Sequence, residues 1–251
     1  MMVRRKGIFR IGTSNIVVPG NKQSYPPAFQ GKSRLNYYSS FFNSLEINSS
    51  FYKIPMPATF EKWSKDVPVH FRFSVKFWKE ITHVKELKVG HSDIERFLKA
   101  ANMLGNKKGC LLVQFPGKIG IEYYNKVEKI LKYINEYDPG NKWRVAVEFR
   151  NPSWYTGETF ELMDEYNTSI VLHDIPNSRN MSVNKKASFI YIRFHGPVGD
   201  YRGSYNKQLL QERAVKIKAW LAKGKDVYAY FNNTIGAAFE NAISLQKMIN
   251  D

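Results

Sequence analysis

With 251 residues, 43% hydrophobic and 15% aromatic, the chain has ample apolar material for a core and lacks the composition of a disordered protein. Lys and Arg number 38 against 22 Asp and Glu, a formal net charge of +16 that attracts polyanions or anionic metabolites without specifying one. The single cysteine, Cys110, excludes an internal disulfide framework and a cysteine-rich zinc site, and no apolar run is long enough to span a bilayer.

The start, MMVRRKGIFRIGTS, is basic but has no apolar signal-peptide segment, so a soluble protein in a reducing cytoplasm with no membrane partner is expected. The first strand is IFRIGTS, residues 8–14, followed by a long Pro/Gly/Asn-containing loop and a helix, RLNYYSSFF. SLEIN, residues 44–48, is the second strand, and the helix ATFEKWSKD follows its loop SSFYKIP. FRFSVK is the third, ending on Lys76 before a basic, partly aromatic loop. Ser92 and Asp93 offer an N-cap to the helix IERFLKAANML, which Gly105 stops. GCLLVQF, the fourth strand, holds Cys110 as a small buried hydrophobe. The next helix carries an apolar stripe at positions 127, 130, 131 and 134.

The fifth strand lies in WRVAVEFRNPSW, residues 143–154. Val145, Val147 and Phe149 share one face, and Arg144, Ala146 and Glu148 share the other, until Asn151-Pro152 ends the strand. SIVLHD is the sixth strand; the polar segment after it is too short for a full helix. SFIYIRFHG, a helix over residues 207–221, DVYAYFNN and the helix IGAAFENAISLQKMI complete the chain.

About eight strand-then-helix repeats imply a parallel α/β sheet. A length near 250 residues, with no glycine-rich dinucleotide fingerprint after the first strand, favours a (β/α)8 TIM-like barrel over an open doubly wound sheet. No linker, repeat or low-complexity tract divides residues 1–251, which are read as one domain with a reduced helix after strand six.

In such a barrel the C-terminal strand ends form the reactive mouth. The polar tips are Glu46 with Asn48, Lys76, Gln114, Glu148, Asp174, His195, and Asn232 with Asn233. Alternation turns Leu45, Ile47, Phe71, Phe73 and Val75 outward. It turns Glu46, Asn48, Arg72, Ser74, Lys76, Arg144, Glu148, Tyr191, Arg193, His195, Tyr228, Tyr230 and Asn232 toward the axis. Inward arginines need partners, because an unpaired buried charge costs several kcal/mol. Glu46, Glu148 and Asp174 are the partners at hand, and Arg72 and Arg144 are read as lumen plugs.

The ordered motifs NSLEINSSFYKIP, FRFSVK with ITH after it, EFRNPSW, IRFHGP and YFNNT resemble the YecE-like family catalogued as domain of unknown function 72. The resemblance implies a TIM-barrel-like fold and no activity. It marks Phe51, Tyr52, Thr82, His83, Arg150, Pro152, Trp154, Gly196, Pro197, Tyr201, Gly203, Tyr205 and Thr234 beside the tip residues. The chain departs from the family pattern after Gly12-Thr13-Ser14. There Asn15-Ile16-Val17-Val18 stands where relatives commonly carry Gly-Trp and a nearby Tyr, and Tyr25 is the candidate replacement aromatic.

The leading expectation is an enzyme acting on a phosphate- or carboxylate-bearing substrate by acid/base chemistry of hydrolase or lyase/isomerase type. Glu148 is the expected acid or base, His195 the second proton carrier, and Lys76 with Arg193 the anion clamp. Glu46, Asp174 and His83 complete the catalytic candidates. Asn48, Tyr52, Arg150, Trp154, Arg193, Tyr205, Tyr230, Asn232 and Asn233 form the binding set. A glycosidase-like use of Glu46 and Glu148 depends on their separation. One alternative is a barrel that binds or processes nucleic acid, using its basic surface and the aromatics Tyr52, Phe77, Trp78 and Trp154. Another is a non-catalytic scaffold whose mouth is blocked by its own ion pairs. No cofactor is expected; if a divalent metal is used, Glu46, Glu148, Asp174 and His195 suit Mn or Mg. His70 and His173 read as structural and His91 as a surface residue.

Overall fold

A computed structural model describes residues 5–140 and 142–251; the basic residues 1–4 of the N-terminal reading lie outside the described residues. The strands are β1 (Phe9–Thr13), β2 (Ser44–Ile47), β3 (Arg72–Lys76), β4 (Lys108–Phe115), β5 (Arg144–Phe149), β6 (Ser169–Ile170), β7 (Leu172–His173), β8 (Phe189–Phe194) and β9 (Asp226–Phe231). The α-helices are α1 (Arg34–Tyr38), α2 (Pro57–Lys65), α3 (Lys79–Thr82), α4 (His91–Ala101), α5 (Tyr124–Tyr137), α6 (Gly157–Glu165), α7 (Lys207–Ala222) and α8 (Ala238–Asn250). All strand pairs are parallel, in two sheets ordered β1-β9-β8-β7 and β2-β3-β4-β5-β6.

The expected sixth strand is thus two short pieces, one in each sheet. At the break, the Val171 N–H donates to Val147 O at 2.8 Å. At the other seam, β1 and β2 share a single bridge, Ser14 with Glu46, and side chains satisfy the backbone groups left over. The Asn43 amide accepts from Ile11 N at 2.9 Å and donates to Phe9 O at 2.8 Å, while Tyr38 Oη accepts from Thr13 N at 2.7 Å. Buried main-chain groups cannot stay unpaired, so these side chains replace a ladder there. Between β7 and β8 there is only the short 3-10 turn Pro176–Ser178, in keeping with a reduced helix. Asn180 Nδ2 donates to Val171 O at 2.9 Å and Asn184 Oδ1 accepts from Ile170 N at 3.1 Å, covering the strand where a helix would sit.

Period-two alternation sorts the strand residues into two apolar layers. Leu45, Ile47, Phe73, Val75, Val145, Val147 and Phe149 pack outward with the helices. Cys110, Leu112, Ala146, Val171, Phe189, Tyr191, Tyr228 and Tyr230 form the inner layer. Val127, Ile130, Leu131 and Ile134 form the buried stripe of α5, as their spacing predicts. Burial pushes the Cys110 thiol well above its ordinary value, which keeps it inert. Among the described residues no helix is long and apolar enough to cross a membrane.

Some local expectations are corrected. Helix α4 begins at His91 after Gly90, without a side-chain cap, and Asp93 falls inside its first turn. Arg72 donates to the carbonyls of Val69 and Phe71 at 3.0 and 2.8 Å, and among the described residues it has no carboxylate partner. Arg144 pairs with Asp226 at 2.6 Å, not with a strand tip. Both arginines open their strands, so at the β-strand rise they lie roughly 13 Å or more from the tips and serve the opposite end of the sheets. Tyr25 is 4% exposed and packs on Tyr37 with ring centroids 4.1 Å apart, so it lies in the core and replaces no aromatic at the mouth.

The β1/β2 seam requires Gly12, because a Cβ there would meet Ser44 O at 2.1 Å and Tyr38 Oη at 2.4 Å. Gly12→Ala is expected to destabilise the fold by about 1–3 kcal/mol through overpacking against backbone. Urea unfolding measures this, and an unchanged midpoint would show that the seam is loose.

Candidate functional site

The strand ends converge on Arg193, which is 1% exposed. Alternation along β8 turns Tyr191 and Arg193 inward, and alternation along β2 and β5 brings Glu46 and Glu148 to the same level. Arg193 donates Nη2 to Glu46 Oε1 at 2.8 Å, Nε to Glu46 Oε2 at 3.0 Å and Nη1 to Glu148 Oε2 at 2.8 Å. Glu46 also accepts from Ser14 Oγ at 2.6 Å and Tyr191 Oη at 2.7 Å. Glu148 accepts from Arg150 Nε on its other oxygen. Burial alone raises both carboxyls. For Glu46 the Arg193 charge and hydrogen bonds outweigh burial, and for Glu148 the charges of Arg150 and Arg193 hold the group well below the carboxylate range.

His195 is buried beside this cluster. Its Nε2 faces donors from Arg150 at 3.1 Å and Arg193 at 3.2 Å, and its Nδ1 lies 3.4 Å from Asp174 Oδ1 without a well-aligned hydrogen bond. Burial, then the guanidinium charges, lowers its pKa to about 4 against the opposing pull of Asp174. The ring is therefore neutral at pH 7, and the network assigns Nε2 as the acceptor and Nδ1 as the protonated nitrogen. Asp174 accepts from the His195 main-chain N–H at 2.8 Å and from the Tyr205 hydroxyl, and Tyr205 Oη accepts from Gly196 N at 2.7 Å. Asp174 and Tyr205 thus anchor the chain just beyond β8.

Above Arg193 opens a cavity of about 230 Å³ lined by Asn15, Asn48, Phe51, Tyr52, Lys76, Gln114, Arg150, Arg193, Tyr201 and Asn232. Three cations and no carboxylate line it. The Lys76 ammonium stands 4.1 Å from the Phe51 ring centroid, and among the described residues it has no carboxylate or hydrogen-bond acceptor in reach. Burial, then the Arg193 charge, lowers its pKa to about 8, while Glu148 and Glu46 oppose the shift. Asn48 Oδ1 is buried without a partner. A larger, mostly apolar groove of about 830 Å³ begins at the shared Tyr52 and runs past Met56, Trp78 and Met103. The charged side chains converge on the smaller cavity, which is the candidate site.

Of the expected site residues, Asn48, Tyr52, Lys76, Arg150, Arg193 and Asn232 share this cavity, and Glu46, Glu148 and His195 lie against its guanidiniums. His83 sits behind Phe51, with ring centroids 4.7 Å apart, and burial followed by the Lys76 charge lowers its pKa to about 4. Trp154 lies in the outer core, stacked on Phe149 at 4.2 Å with its indole N–H on Ile119 O. Tyr230 Oη lies below the cavity on Ser44 and Ser74, and the Asn233 amide turns away to Gly203 O and Asn241. His173 is structural, its Nε2 near Phe149 O and Tyr155 Oη, and His91 bridges α4 to Glu136 of α5. Among the described residues no three His, Cys, Asp or Glu side chains gather as a metal-holding group. Glu46 and Glu148 are both turned onto Arg193, and Asp174 is turned onto the His195 main-chain N–H and Tyr205.

Asn15 was not anticipated. It has φ 65°, a conformation that favours asparagine, and its Oδ1 accepts from Asn48 N at 3.2 Å, so the departing first loop itself builds the rim. Gln114, paired in register with Glu148, carries the same strand-tip signal as the other lining residues.

The family model described as "Protein of unknown function DUF72" matches residues 10–251. The chain is 25% identical to the UPF0759 protein YunF of Bacillus subtilis (strain 168), covering 84% of each. It is 26% identical to the UPF0759 protein YecE of Escherichia coli (strain K12), over 50% of this chain and 44% of that protein. A crystal structure of a DUF72 family protein from Enterococcus faecalis V583 superposes with TM-score 0.80 at 26% identity, covering 97% of this chain and 96% of that one. One from Thermotoga maritima MSB8 gives 0.75 at 24% identity, covering 97% and 100%.

Removing Arg193 leaves buried Glu46 without its guanidinium and Glu148 with Arg150 alone, so Arg193→Met is expected to cost about 3–5 kcal/mol at pH 7. In the parent both carboxyls are depressed below the ordinary 4.5, so their stabilisation is complete above that value and is lost as pH falls through the lower folded values. In the variant burial prevails at Glu46, which keeps only the Ser14 and Tyr191 hydroxyls while Glu148 keeps Arg150, so the deficit shrinks on acidification from pH 7 toward 5. Denaturation across that range checks the sign, and a pH-independent deficit would contradict the assignment.

Proposed function

Since the chain belongs to the family of proteins of unknown function DUF72, whose description assigns no activity, we propose its function from the site itself: an enzyme that moves a proton on a small phosphate- or carboxylate-bearing substrate. The observation that carries this reading is Lys76, an amine without a carboxylate partner in a cavity it shares with Arg150 and Arg193. Beyond the hydrogen bonds already described, Arg150 keeps one N–H on each Nη and Arg193 one on Nη2 as donors to an anion. Lys76, with a pKa of about 8, is the group able to exchange a proton near neutrality. Asn48, Gln114 and Asn232 orient the substrate with amide groups. Glu148 and Glu46 act as positioning residues that fix the guanidiniums, and His195 does the same as a neutral acceptor.

The same reading treats the two sheets as one (β/α)8 barrel, with β6 and β7 as halves of a single strand. The Ser14–Glu46 bridge and the Val171 N–H on Val147 O support joining them. The cavity then occupies the C-terminal mouth, where barrel enzymes place their chemistry. A space of about 230 Å³ suits a metabolite-sized anion, so we rank this reading above nucleic-acid binding and above a blocked scaffold.

Lys76 has a lowered folded pKa, so the unfolded chain binds more protons between about 8 and 10.5 and the group costs stability at pH 7. Lys76→Met is expected to stabilise the protein on the order of 1 kcal/mol or more at pH 7, an advantage that fades as pH rises through that window. The same variant should bind inorganic phosphate or acetate roughly ten-fold more weakly in calorimetry. A parent protein that binds neither anion, or a variant that binds both equally well, would sink the reading.

A further inference from the structure

We propose that Lys76 forms a covalent imine with a small 2-oxo acid whose carboxylate is held by Arg150 and Arg193. This rests on the anion-binding reading above and adds the substrate class and a bond. Two arginines already supply the anion contacts, and both are fixed by Glu46 and Glu148. The third cation is a lysine, the one of the three that can lose its charge and act as a nucleophile. It rests on an aromatic face with no carboxylate to hold its proton. The neighbouring amides include the unpartnered Asn48 Oδ1, an acceptor suited to the hydroxyl of a carbinolamine. A cavity of about 230 Å³ has room for roughly seven or eight water-sized groups, the scale of a short oxo acid.

The charged groups that face Lys76 are Arg193, Arg150, Glu148 and Glu46. Burial and Arg193, aided by Arg150, prevail, and they leave far more free amine at neutral pH than an ordinary lysine has. The step balances without an oxidant or reductant. The ammonium first releases a proton, and the amine lone pair adds to the keto carbon as the carbonyl π pair moves to oxygen. Proton transfer from nitrogen to oxygen gives the carbinolamine. The C–O bond then breaks with its electron pair on oxygen, which leaves as water after taking back one proton. Ammonium and ketone thus become iminium and water, with two of the ammonium's three hydrogens in the water. The iminium withdraws electrons from the adjacent carbon, which supports proton exchange or carbon–carbon cleavage there, the lyase/isomerase type of chemistry.

The test incubates the full chain with pyruvate and sodium cyanoborohydride and maps modified lysines by peptide mass spectrometry, with lactate as the control that lacks a keto group. The expected result is a reduced pyruvyl adduct on Lys76, at least roughly ten-fold above any other lysine. It should be absent with lactate and in both Lys76→Arg and Lys76→Met, each confirmed as folded by circular dichroism. An adduct spread over surface lysines with no preference for Lys76 overturns the proposal. Calorimetry separates the two layers of the argument. Binding of pyruvate and lactate without an adduct overturns the imine and leaves the anion site standing, whereas no binding of pyruvate, lactate or phosphate overturns both.

Discussion

The ion cluster of Arg193 with Glu46 and Glu148 is the constraint on which the rest of the mouth depends. Arg193 belongs to the β1-β9-β8-β7 sheet, and both glutamates belong to the other. One guanidinium therefore fastens the two sheets to each other, beside the few main-chain contacts that join them at the seams, Ser14 with Glu46 and the Val171 N–H on Val147 O. Bringing three charges out of water costs several kcal/mol per ion, and only near-complete hydrogen bonding offsets it. The site meets that condition: Ser14, Tyr191 and Arg150 supply the remaining donors to the two carboxylates. The gain is less in net stability than in register, since a shift of one residue in β2, β5 or β8 would turn a charged side chain out of the cluster and into the outer apolar layer.

Below the cluster the interior is closed by aromatic packing with polar ends. Tyr191 and Tyr228 stack at 6.3 Å, and Tyr230 reaches Ser44 and Ser74. Burial raises the Tyr191 and Tyr230 phenols far above their ordinary range, so they remain neutral donors at any physiological pH. Arg144 and Asp226 form a separate pair at the far end. The two ends are thus electrostatically distinct. At the far end Arg144 is neutralised by Asp226 and Arg72 rests on main-chain carbonyls, whereas the mouth combines its ion pairs with a lysine that has no carboxylate partner among the described residues.

Much of this was legible in the sequence because strand alternation and the strand-tip rule are short-range. They place Glu46, Lys76, Glu148 and Arg193 correctly from their own segments. What they do not reach are contacts set by partners far along the chain or by backbone beyond the strand. Arg144 meets Asp226 because β5 and β9 start at the same end, a relation that no local period encodes. Once a strand ends, period two no longer applies, so Asn233 turns toward Asn241, Tyr205 folds back onto Asp174, and Trp154 packs under a short turn on Phe149. The β1/β2 seam depends on Asn43 and Tyr38 in place of a ladder, and no pattern of hydrophobicity reports that substitution.

The comparison between Glu148 and Lys76 shows why a polar strand tip is not in itself a reactive group. Both side chains are drawn from water, and in each case burial disfavours the charged form. For Glu148 two guanidiniums outweigh burial, and the carboxylate is locked into its charged state at a depth where its oxygens are already engaged. For Lys76 the largest charge effect, from Arg193, has the same sign, so burial and repulsion act together and bring the amine within reach of neutral pH. The arginines that immobilise the carboxylates therefore add to the burial that releases the lysine. Within the cluster that joins the sheets, the guanidinium of Arg193 and the two carboxylates act on Lys76 in opposite senses, and burial decides the balance in favour of the free amine.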